Sequence, residues 1–208
     1  MFSILQAAGW PIWPLVACSV LALALVIDRF INLKTAKVAP PKLLNEVLSV
    51  TRTSVPGPDV INQLIKSSAL GEVLGSGLRT INSNPRCSEE ELRSSMEYTG
   101  RMVAHRLERH LSALATIASA APLMGLFGTV VGMIEIFGSQ APGVSTGNNP
   151  AQLAHGISVA LYNTAFGLIV AIPSLIFWRY FRAQVDEYLL NLELAAERLL
   201  RHLISLRK

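Results

Sequence analysis

Between Leu111 and Trp178 the chain carries one formally charged side chain, Glu135, and one histidine, His155. A carboxylate in so apolar a stretch is costly and by default functional. Glu135 stands about a turn from the outer end of its apolar run, so a side chain reaching for the interface is the competing explanation. The other polar groups at depth are Thr129 in one run and Asn163 and Thr164 in the next. Hydroxyls and amides of this kind suit the relay of a proton or ion through low-dielectric space, not bond-making chemistry. One threonine in a span can satisfy itself on its own helix backbone. Two threonines, each beside a face of small residues, point to a lined passage. No nucleophile–base pair, metal cluster or phosphate loop is legible. His105 and His110 fall on a charged helix and read as solvated, and His155 reads as interfacial. Gly138, Gly143 and Gly147 are loop composition. The reading is therefore of no enzyme, no cofactor and no metal.

The helices that must position these groups are written in the same residues. Ala121, Gly125, Gly128, Gly132 and Glu135 share one helix face, with Thr129 beside it. Gly156, Ala160, Thr164, Gly167 and Ala171 make a matching face in the following run. Small residues at such spacing let helices approach closely inside a membrane. The sequence predicts packing through Gly125, Gly128, Gly132, Gly156, Ala160 and Gly167, with a lined passage past Thr129 and Thr164, and Glu135 and Asn163 as further polar candidates.

Composition agrees. In 208 residues, 51% are hydrophobic and 15% charged, with a mean hydropathy of +0.42. A soluble domain would have to expose a large apolar patch; a bilayer absorbs it. Trp10 to Ile27 is long enough to cross about 30 Å of hydrocarbon with help from its flanks. It lacks a basic segment before it and reads as a retained span, not a signal peptide. Trp10 and Trp13 suit an aromatic belt. Further spans are predicted from about Leu114 to Phe137 and from about Leu153 to Trp178. The fold class is all-α: an integral membrane protein with three transmembrane helices, two of them extended far into the cytoplasm. Its parts are residues 1–30 (periplasmic N-terminus and first span), 31–110 (cytoplasmic helical region), 111–139 (second span), 140–152 (periplasmic loop), 153–178 (third span) and 179–208 (cytoplasmic C-terminal helix).

Lysine and arginine set the orientation. None precedes the first span and none lies between the second and third. Arg29, Lys34, Lys37 and Lys42 follow the first, Arg101, Arg106 and Arg109 precede the second, and Arg179 and Arg182 follow the third. The N-terminus is expected outside and the C-terminus inside. The net charge of +4 is accounted for by this asymmetry, with no nucleic-acid partner. Cys18 lies in an apolar run and Cys87 in a charged region, so no disulfide is expected. Within 31–110, short helices are expected around 42–50 and 59–81, bounded by prolines. Ser88 and Glu91 read as a capping box, and no proline intervenes before Pro122. A helix from near Glu89 is thus expected to run directly into the second span, roughly 75 Å in all. Leu189, Leu192, Ala196, Leu199, Leu203 and Leu206 form an a/d seam, which fits packing within one subunit or between copies.

APLMGLFGTVVGMIEIF at 121–137 and GISVALYNTAFGLIVAIP at 156–173 resemble the signature of the ExbB/TolQ/MotA proton-channel family, nearest its ExbB branch. WPLVACSVLALALVIDRF at 13–30 is similar as well. The resemblance covers all three spans. It implies a homo-oligomer, a pentamer in the family, around the helices of an ExbD-like dimer in the bacterial inner membrane. In that arrangement proton flow energises a TonB-like protein that drives outer-membrane transport, and the essential aspartate belongs to the ExbD-like partner. Thr129 and Thr164 match the family's pore-lining threonines. One position departs: many relatives carry a glutamate five residues before the third-span threonine, where this chain has Val159. A TolQ-like motor subunit and a non-motor scaffold or carrier are the alternative readings. A carrier would call for substrate-binding polar groups at mid-membrane and broken helices, against the few found here.

Overall fold

The computed structural model describes residues 9–53, 56–138 and 150–206. Every regular element among them is helical: α1 (Ile12–Asn32), α2 (Thr35–Val38), α3 (Leu43–Thr53), α4 (Pro58–Ser67), α5 (Ala69–Ser83), α6 (Glu89–Glu108), α7 (Leu111–Gly138) and α8 (Pro150–Ser205). Among the described residues three stretches are long and apolar enough to cross a membrane, in α1, α7 and the first part of α8. The protein is an all-α integral membrane protein. The expected 140–152 loop lies largely outside the described residues, as does the side chain of His155.

The chain divides into two compact units: Met1–Asp28 with Leu111–Tyr180, and Arg29–His110 with Phe181–Lys208. The first is a membrane unit. Leu15 of α1, Ala121 of α7 and Val170 and Ala171 of α8 form its buried core, with Cys18, Ile117, Met124 and Phe166 packed against it. Trp10 meets Phe127 edge-on at 6.1 Å. Pro122 and Pro173 lie inside α7 and α8 without ending them. In a membrane helix the freed carbonyl can be re-satisfied by neighbours.

The second unit is polar. Gly57 caps α4 with Pro58 at its first position, where a missing amide proton costs nothing. The expected single helix over 59–81 is two helices. Ser68 breaks it, and its hydroxyl accepts from the Gly71 amide at 3.0 Å to start α5. The capping box that opens α6 is present in both halves: Ser88 Oγ accepts from Glu91 N at 3.1 Å and Glu91 Oε2 from Ser88 N at 3.0 Å. The core gathers Leu74 and Leu78 from α5, Leu92 and Val103 from α6, and Val185 and Leu199 from α8. Arg93 to Glu197 (3.3 Å) and Arg182 to Glu108 (2.8 Å) tie α6 to α8 at the surface. Of the expected seam, Leu192, Leu199 and Leu203 are buried within the chain, while Leu206 is exposed. Cys18 and Cys87 are not joined in a disulfide, and Cys87 is buried.

The expected helix from Glu89 into the second span is present over Glu89–Gly138 with one interruption: Arg109, still at helical angles (φ −45°, ψ −44°), and His110 form a turn between α6 and α7. A side chain from another element meets this turn. Leu107 O is the acceptor that a continuous helix would offer to the Leu111 amide, and Arg29 Nη1 donates to it at 3.0 Å. His110 is also not simply solvated, because its Nδ1 lies 2.7 Å from Arg29 Nη2. His105 is exposed, as expected.

Candidate functional site

The small residues of α7 and α8 meet along one seam. A methyl group on Gly125 would stand 2.8 Å from Asn163 O, 3.0 Å from Thr164 Cα and 3.3 Å from Gly167 Cα. On Gly167 it would stand 2.6 Å from Ala121 O and 3.1 Å from Gly125 Cα. At these two positions backbone rests on backbone, and glycine is required. On Gly128 a methyl would meet Asn163 Cβ at 2.8 Å, and on Gly132 the Ala160 Cβ at 3.1 Å. Gly156 lies under Ile136, with 2.6 Å to Cδ1. Close contact of this kind replaces the hydrophobic drive that lipid does not supply.

The polar candidates occupy different settings on this scaffold. Asn163 is buried, 2% exposed, with its side chain against Gly128. Thr164 follows it on the flank of the seam. Its Oγ1 is buried and has no hydrogen-bond partner among the described residues. Thr129 is half-buried and donates to Leu126 O of its own helix at 2.7 Å, the local arrangement that a lone membrane threonine can always adopt. Glu135 is exposed, one turn before the end of α7. The structure therefore gathers Asn163, Thr164 and the glycines at one contact and leaves Glu135 on an open flank.

Ser174 is a polar residue that spacing alone did not single out. It is buried, and its hydroxyl donates to Val170 O at 2.7 Å. Its place on the Asn163–Gly167 face was readable from the helical period, but serine in an apolar run gives no stronger signal. Among the described residues no three His, Cys, Asp or Glu side chains come together as a metal site would require. What this arrangement offers is close helix contact and a few neutral polar groups within an apolar wall.

Residues 65–194 match the model of the MotA/TolQ/ExbB proton channel family. The chain belongs to that family. Among its ExbB-type relatives, the biopolymer transport protein ExbB-like 3 of Synechocystis sp. is 30% identical over 178 residues, 86% of this chain and 83% of the relative. The biopolymer transport protein exbB1 of Vibrio cholerae is 29% identical over 81% of this chain and 73% of its own length. The biopolymer transport protein ExbB of Salmonella typhimurium is 39% identical over 107 residues, 46% of this chain and 43% of the relative. The matched region takes in the α7–α8 seam. MotA/TolQ/ExbB proteins are proton channels and transport-motor components that work in complexes with other proteins. The chain is accordingly a multi-pass protein of the bacterial inner membrane.

Proposed function

We propose that this chain is the ExbB-like subunit of a proton-driven motor: a homo-oligomer that encloses an ExbD-like partner and energises a TonB-like protein for outer-membrane transport. The observation that carries the reading is the α7–α8 seam of a proton-channel family member, with the Thr164 hydroxyl buried and unpartnered beside Gly125. A hydroxyl held without a partner in low-dielectric surroundings is costly. It is therefore available to a carboxyl group, or to water, brought to it by a partner helix. In this reading Thr164 is the principal polar station and Thr129 a secondary one, since Thr129 already has an acceptor on its own helix. Glu135 and Asn163 act around them, Glu135 near the periplasmic mouth and Asn163 as the packing partner of Gly128. The 31–110 region and the C-terminal helix lie in the cytoplasm, and the N-terminus and the 140–152 loop in the periplasm.

The test uses nearly isosteric changes. Thr164→Val is expected to abolish proton-dependent uptake in cells that co-express the partner, while the complex still assembles. Thr129→Val is expected to reduce uptake less, and Glu135→Gln least. Normal uptake by an assembled Thr164→Val variant would reduce the seam to packing alone.

A further inference from the structure

The point where α1 leaves its apolar run carries a contact that the transport reading does not use. Arg29 is buried, 6% exposed, in the polar unit. A guanidinium removed from water must be met by acceptors. Two are in place at the α6–α7 turn: Leu107 O, 3.0 Å from Nη1, and His110 Nδ1, 2.7 Å from Nη2. Both ends of this contact come from segments far apart in sequence, so it fastens α1 to the place where helix α6 stops.

Its chemistry is conditional. A guanidinium has five N–H donors and no acceptor. A nitrogen 2.7 Å from it forms a hydrogen bond only by presenting a lone pair, which on Nδ1 means the neutral ring with its proton on Nε2. A proton on Nδ1 would set donor against donor and cation against cation. We propose that Arg29 and His110 form a proton-responsive latch, closed while the His110 imidazole is neutral and released when it is protonated. Histidine is the side chain whose charge changes in the physiological range. The charged groups next to these two in sequence are Asp28 before Arg29, and Glu108 and Arg109 before His110, and Arg182 of α8 reaches Glu108. The Glu108 carboxylate is held by Arg182 at 2.8 Å.

The closed form binds one proton fewer than the open form, so the latch weakens as pH falls. Release leaves Leu107 O as the remaining anchor of these two and frees the turn that separates α6 from α7. The latch itself does not depend on the side of the membrane this unit faces, and neither does its test.

The test is amide exchange of the full-length protein in detergent micelles, corrected for the intrinsic pH dependence of exchange. Residues 107–113 are expected to lose protection roughly tenfold between about pH 7.5 and about pH 5.5, the scale of one charge-assisted hydrogen bond. His110→Gln, which keeps an acceptor for Arg29 without titrating, should hold its protection across the same range. His105→Gln, an exposed site on α6 just before the turn, should respond as the parent does. An equal loss in His110→Gln, or no loss in the parent protein, overturns the proposal. Histidine carbon shifts give a second reading that needs no variant: the latch requires the Nε2–H tautomer of His110 near neutral pH, and an Nδ1–H tautomer overturns it.

Discussion

At the scale of single residues the membrane unit rests on two glycines. Gly167 holds Ala121 O and Gly125 Cα so close that a methyl group would sit 2.6 Å and 3.1 Å from them. Backbone cannot step aside as a side-chain tip can, so Gly167→Ala must part α7 from α8. The expected cost is about 1–3 kcal/mol, the range for overpacking a closed interior. Gly132→Ala meets Ala160 at 3.1 Å to Cβ and at an ordinary 3.6 Å to Cα and should cost distinctly less. Thermal unfolding of the two variants in the same detergent would check the order, and equal melting temperatures would refute it. The spacing of these glycines was readable in the sequence, because a repeat of three and four residues places them on one face. The difference between Thr129 and Thr164 was not. Both flank the seam, and which hydroxyl bonds back to its own helix depends on side-chain rotamer and on the neighbouring helix.

At the scale of elements, legibility followed whether a boundary was set locally. The capping box at Ser88, the Gly57-Pro58 start of α4 and the Asn84-Pro85 end of α5 are made by residues adjacent in sequence, and each was readable. The division at Ser68 was missed because serine within a helical stretch is ordinary until its hydroxyl turns to the Gly71 amide. The turn at Arg109–His110 has no local signal: the side chain that meets it at Leu107 O comes from Arg29, 78 residues away. The seam on the last part of α8 was legible as a stripe, and the structure shows Leu192, Leu199 and Leu203 of it buried within the chain. Ser68 also gives a test at this scale. Ser68→Ala removes the acceptor of the Gly71 amide in a buried setting, at an expected cost of about 1 kcal/mol. Faster exchange of the Gly71 amide, with later α5 amides little changed, is the expected signature; an unaltered Gly71 would mean that Ser68 does not set the boundary.

At the scale of the whole molecule the deciding pattern is charge. All 18 lysines and arginines lie in residues 29–109 and 179–208. None lies before α1, in α7, or between α7 and the apolar part of α8. The exposed apolar side chains of the membrane unit, such as Leu123, Ile134, Ile169 and Ile176, do not set a direction, since lipid meets both leaflets alike. Hydroxyls on the same surfaces do not set one either: Thr116, Ser119 and Ser158 each donate to a carbonyl of their own helix. Direction is left to the basic residues, which are retained on the cytoplasmic side when they flank short loops. An alkaline phosphatase fusion after Gly143 is therefore expected to be active, and a fluorescent-protein fusion after Lys208 to be bright. An inactive Gly143 fusion with a dark Lys208 fusion would invert the protein in the membrane. It would also set the polar unit and its Arg29–His110 contact on the periplasmic side, where the proton meeting the latch would come from the compartment that drives the flow.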